Sequence, residues 1–99
     1  MVIISIVSYP PEQAKEMAKR MGELPSPPSY MTMKGPYVSG ELGAGIKVMI
    51  LYEYEQTKTK EAMEYVGNRL AKYFGVPGYT YSAYPWFEIK EALKMIGMA

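Results

Sequence analysis

Residues 45–55 read GIKVMILYEYE, and the fold turns on this stretch. Side chains alternate across a strand, so Val48, Ile50, Tyr52 and Tyr54 share one face while Met49, Leu51, Glu53 and Glu55 share the other. Both faces begin apolar. A strand of this kind belongs inside a sheet with apolar material on each side. Residues 2–8, VIISIVS, give the same signal: β-branched, uninterrupted by turn residues and expected to be buried on both faces.

Working outward, Pro10-Pro11 ends the first strand and suits the opening turn of a helix, where a missing N–H costs nothing. Ala14, Met17, Ala18 and Met21 recur at i, i+3, i+4, i+7 and predict an amphipathic helix closed by Gly22. The run from Pro25 to Ser29 is a stiff loop. Tyr30–Ser39 and Gly45–Tyr54 read as the arms of a β-hairpin joined by residues 40–44. Gly35-Pro36 interrupts the first arm, which places that arm at an edge with a bulge or bend. Thr57 or Thr59 is expected to cap a second helix running to about Phe74, with Ala62, Val66, Leu70 and Tyr73 on its apolar stripe and Gly75 as its stop. Tyr79–Tyr84 reads as a fourth strand, and Pro85-Trp86 as the start of a short C-terminal helix with Ile89, Ala92, Leu93 and Ile96 on one side.

The order strand, helix, strand, strand, helix, strand predicts one α+β domain over residues 1–99: a ferredoxin-like βαββαβ antiparallel sheet with helices on one face plus the short C-terminal helix. Helices on one face leave the other uncovered. The apolar residues there require cover, and a second copy packed sheet to sheet is the simplest. A chain of 99 residues buries only roughly 60–65% of its unfolded surface, so self-association would help it.

The element order and the double-faced sheet, with a tyrosine-rich last strand running into Pro85-Trp86, resemble the dimeric α/β-barrel group of ferredoxin-like proteins. The resemblance covers nearly the whole chain and implies a homodimer joined through the open sheet face. That group includes small monooxygenases, lactone isomerases and stress-response domains. Many of them use a histidine or an aspartate in the cavity, and neither residue type occurs here.

Composition removes whole classes of chemistry. Cysteine, histidine and aspartate are all absent, so a Ser-His-Asp triad, a thiolate nucleophile, a histidine-ligated zinc or haem and the usual aspartate-based magnesium site lack their parts. No cofactor and no metal is expected. A net charge of +1 with two arginines, Arg20 and Arg69, gives no electrostatic footprint for nucleic acid. The apolar runs fall far short of the ~20 residues of a membrane span, and without a recognisable leader the default expectation is a cytoplasmic protein.

Ten tyrosines are the compositional oddity. They read either as strand formers that pack a ring and keep the hydroxyl wet, or as the lining of a site over the sheet face for a hydrophobic or aromatic small molecule, with Tyr52, Tyr54, Tyr79 and Tyr81 as candidates. Glu53, among apolar neighbours, is the candidate general base of the competing reading, a cofactor-free isomerase or monooxygenase-like enzyme. It also reads as a solvated strand-end charge beside Glu55, as does Lys47 at the other end. Trp86 and Phe87 read as packing anchors, and Met17, Met21, Met63 and Met95 as core filler.

Overall fold

The computed structural model describes residues 1–41, 43 and 45–98; the expected hairpin connection includes Leu42 and Ala44, which lie outside the described residues. Four strands and three helices follow one another as β1 (Val2–Tyr9), α1 (Ala14–Gly22), β2 (Met31–Glu41), β3 (Gly45–Tyr54), α2 (Thr59–Ala71), β4 (Thr80–Trp86) and α3 (Ile89–Met95), with single 3₁₀ turns at Pro11–Gln13 and Gln56–Lys58. The strands form one sheet in the order β2-β3-β1-β4, every neighbouring pair antiparallel. β1 and β2 are therefore parallel with β3 between them, and β3 and β4 are parallel with β1 between them. Each parallel pair is joined through a helix, so the two crossovers interleave and the two most apolar strands become central.

Burial along β1 alternates strictly. Ile3, Ser5, Val7 and Tyr9 are buried, while Val2, Ile4, Ile6 and Ser8 are half-buried. The first set meets Val48, Ile50, Tyr52 and Tyr54 of β3, Met17 of α1, and Ala62, Val66, Leu70, Tyr73 and Val76 in and after α2. This is the core, and it lies on one side of the sheet. The expectation that β1 is buried on both faces holds only for its odd-numbered side within one protomer.

Gly35-Pro36, whose peptide is cis, falls where the ladder between β2 and β3 slips. Lys34 stands opposite Leu51 but Tyr37 stands opposite Met49, so β2 carries one extra residue, a bulge on an edge strand. The insertion reverses the alternation: Thr32 and Lys34 point away from the helices before it, Tyr37 after it. Gly35 is required there, because φ is +104° and an added Cβ would lie 2.9 Å from the Met49 carbonyl oxygen. Gly45 opens β3 under the same constraint, with φ of +86° and a Cβ that would come within 2.6 Å of the Tyr9 carbonyl oxygen.

Arg20 locks α1 to the end of α2. Its Nε donates to Glu16 Oε1 at 2.9 Å and its Nη1 to the carbonyls of Lys72 (3.2 Å) and Phe74 (2.9 Å), which answers acceptors that a helix end leaves unpaired. Neither Thr57 nor Thr59 caps α2 through its side chain; a 3₁₀ turn leads in instead, and the Thr59 hydroxyl donates to the Gln56 carbonyl at 2.7 Å. Nor does Pro85-Trp86 start a helix. β4 continues through both, as an edge strand permits, and α3 begins at Ile89 behind a capping box made by Glu88 and Glu91. Ala92 and Leu93 of α3 are half-buried, but Ile89 and Ile96 are 71% and 68% exposed, so most of the expected apolar stripe finds no cover within the chain.

Candidate functional site

The uncovered side of the sheet can be built row by row from the register. Tyr37, Met49, Ile6 and Ser82 stand side by side across the four strands. The next row holds Lys34, Leu51, Ile4 and Tyr84, and the row beyond it Thr32, Glu53, Val2 and Trp86. Seven of these side chains are large and apolar or aromatic across the two central strands and β4, with Tyr37 extending the surface onto β2. On the flanks Tyr37, Tyr84 and Trp86 are more than half exposed, and Met49 in a central strand is 40% exposed. A shallow concavity of about 320 Å³ lies over Ile6, Tyr37, Val38, Ser39, Lys47 and Met49.

Charge on this face is sparse: Lys34 and Glu53 form one pair, and Lys47 stands on the same face between Ser39 and Ser8. Lys34 Nζ reaches Glu53 Oε1 at 2.7 Å across the β2–β3 diagonal. The carboxylate accepts a hydrogen bond and holds the Lys34 ammonium above its ordinary range. Glu53 thus sits on the open face, partly exposed and ion-paired. At the near end of the sheet the Met1 amino group pairs with Glu91 Oε1 at 2.8 Å, which holds that carboxyl below the usual range, the backbone N–H of Glu88 adding to it.

The four tyrosines singled out from sequence lie on the other side. Tyr52 and Tyr54 are buried beneath the helices, at 1% and 7% exposure. Burial pushes the Tyr52 hydroxyl up, an effect partly offset by the nearby Arg69 charge and by hydrogen bonding to Ser5 and Arg69. Tyr79 donates to the Leu70 carbonyl at 2.9 Å and is likewise raised by burial. Tyr81 is half exposed beyond the end of α2, stacked on Tyr79 with ring centroids 5.5 Å apart and facing Phe74 at 5.8 Å. The structure groups Tyr73, Phe74, Tyr79 and Tyr81 into one aromatic cluster, which Tyr52 and Tyr54 do not join.

The aromatic residues of the open face are instead Tyr37, Tyr84 and Trp86. Sequence alternation alone hides Tyr37, because the bulge at Gly35-Pro36 reverses its side; Tyr84 was detectable from its parity relative to Tyr79 and Tyr81. Among the described residues no group of three acidic side chains is placed to hold a metal ion, and no helix is long and apolar enough to cross a membrane. The chain matches no protein-family model and no curated protein sequence.

Proposed function

We propose that this chain is a homodimerising domain of the ferredoxin-like, dimeric α/β-barrel type, in which two copies bring their open sheet faces together over an apolar interior. The reading rests on one observation: Val2, Ile4, Ile6, Met49 and Leu51 form a continuous apolar band across the two central strands, on the side opposite the core that α1 and α2 cover.

Three further features support a second copy as the cover. The molecule is 18 Å thick in its thinnest direction, room for one sheet and one helical layer, where a third layer would complete the sandwich. Its radius of gyration is 15.1 Å, against about 13 Å for a compact chain of this length. The sheet face measures on the order of 19 by 26 Å at ~4.8 Å per strand and ~3.3 Å per residue, close to 1,000 Å² in plan over two copies, about the lower limit for a biological interface.

The concavity over Ile6, Tyr37 and Met49 would, on pairing, become part of a shared apolar space suited to a hydrophobic or aromatic small molecule, with the exposed Tyr37 and Tyr84 hydroxyls as its polar groups. Sedimentation equilibrium tests the pairing. Twice the mass of one chain at micromolar concentration is expected, and a single-chain mass throughout would overturn the proposal.

A further inference from the structure

Arg69 is the one charged residue buried among the described residues, 7% exposed, on the same side of α2 as Ala62, Val66 and Leu70. Its Nη1 donates to the Pro25 carbonyl and to the Tyr65 hydroxyl, each at 3.3 Å. Its guanidinium carbon lies 6.0 Å from the Tyr52 ring centroid and 5.9 Å from that of Tyr65. All these partners are dipoles and ring faces. None of the ion pairs formed among the described residues includes Arg69, and a buried cation without a counter-charge is costly.

Along α2, Tyr65, Asn68, Arg69 and Lys72 follow at i, i+3, i+4 and i+7, so they share one stripe. Together with Pro25 they line a recess of about 120 Å³ that opens to solvent. Among the described residues no carboxylate lines it. A recess that shares Lys72 is lined by Arg20, Glu23, Leu24 and Lys72, with Glu23 the one acid among the described residues there. Helix C-termini ordinarily repel anions, but here Arg20 already caps the carbonyls of Lys72 and Phe74, and Glu16 is paired to Arg20.

We propose that this recess binds a small oxyanion, a phosphate or carboxylate group, between the Arg69 guanidinium and the Lys72 ammonium, with Asn68 and the Tyr65 hydroxyl as further polar contacts. An anion there supplies the charge that Arg69 lacks. The site lies on the helix side of the sheet and is independent of the dimer.

The test is an NMR titration of the ¹⁵N-labelled chain with inorganic phosphate, with acetate, and with sodium chloride at matched ionic strength. Saturable shifts at the Arg69 side-chain N–H and at the amides of Tyr65–Lys72, produced by phosphate or acetate and absent with chloride, are expected; whichever ion saturates at lower concentration names the ligand class. Arg69→Gln should abolish the response, and Lys72→Gln, at an exposed position that leaves the fold intact, should weaken it at least about tenfold. If Arg69→Gln does not fold, Lys72→Gln decides alone. An absent or non-saturable response, shifts equal to those with chloride, or undiminished affinity in Lys72→Gln would each overturn the proposal.

Discussion

The two faces of the sheet are made of nearly the same residue types and meet opposite fates. On one, Ile3, Val7, Val48, Ile50 and Tyr52 lie under α1 and α2 at 4% exposure or less. On the other, Val2, Ile4, Ile6, Met49 and Leu51 occupy the alternate positions of the same two strands and stay outside that core, half-buried except for Met49 at 40% exposure. Intrinsic strand preference cannot separate the two sets, since each is β-branched or long and apolar. What separates them is topology: both crossovers place their helices on one side. One face stabilises the protomer; the other is available to stabilise an assembly.

That contrast should break most visibly when one central-strand position on each face is changed. Ile3→Ala, in the covered core, is expected to cost about 3–4 kcal/mol of folding stability, read as a lowered denaturant midpoint in chemical unfolding. Met49→Asp on the open face should leave secondary structure intact by circular dichroism yet weaken association by about 100-fold or more, because it places a carboxylate in the centre of an apolar interface. A Met49→Asp chain that fails to fold, or an Ile3→Ala chain that merely dissociates, would reverse the roles of the two faces.

Alkaline titration sharpens the same division. Burial raises the hydroxyls of Tyr9, Tyr52, Tyr54, Tyr73 and Tyr79, all on or beneath the covered face, above their ordinary value of 10.0. The unfolded chain releases those protons first as pH passes 10, so the stability present below pH 10 is lost as pH climbs toward the folded values. Each tyrosine protonated only in the folded state should lower stability by up to ~1.4 kcal/mol per pH unit. Ultraviolet absorbance should show tyrosinate from these residues appearing together with unfolding, not ahead of it.

Two smaller effects finish the series. Among the described residues the buried Tyr54 hydroxyl makes no hydrogen bond of good geometry, and neighbouring Thr59, which lowers it only in part against burial, donates its own proton to Gln56. Tyr54→Phe should therefore be neutral or stabilising by up to ~1 kcal/mol in thermal melts, where loss of a satisfied hydroxyl would destabilise. On the open face, Glu53→Gln removes a partly exposed ion pair and should change stability by less than about 1 kcal/mol.

Much of this architecture was legible in the chain. The stripe at Ala14, Met17, Ala18 and Met21, the alternation of residues 45–54 and the punctuation at Gly35-Pro36 act locally, and local patterns specify elements. Four things were not legible. Tyr37 faces outward only because the bulge adds one residue, so the period-2 count that works elsewhere fails at this point. Pro85-Trp86 looks like a helix opening, but pairing with Ile3 and Val2 of β1 carries the strand through both residues. The grouping of Tyr73, Phe74, Tyr79 and Tyr81 and the burial of Arg69 depend on where α2 lands on the sheet. The one sequence signal was that Arg69 falls beside Leu70 on the apolar stripe of Ala62 and Val66, a place where a cation needs a reason.

The account rests on the open face meeting its own copy, and isotope-filtered NOE spectroscopy on mixed labelled and unlabelled chains addresses this most directly. Contacts between protomers are expected at the methyl groups of Met49, Ile4 and Ile6, and none at Met17 or Val66 in the covered core. Absence of intermolecular contacts at all three open-face positions, with their methyl signals broadened by a soluble paramagnetic agent in a chain of single mass, would contradict it.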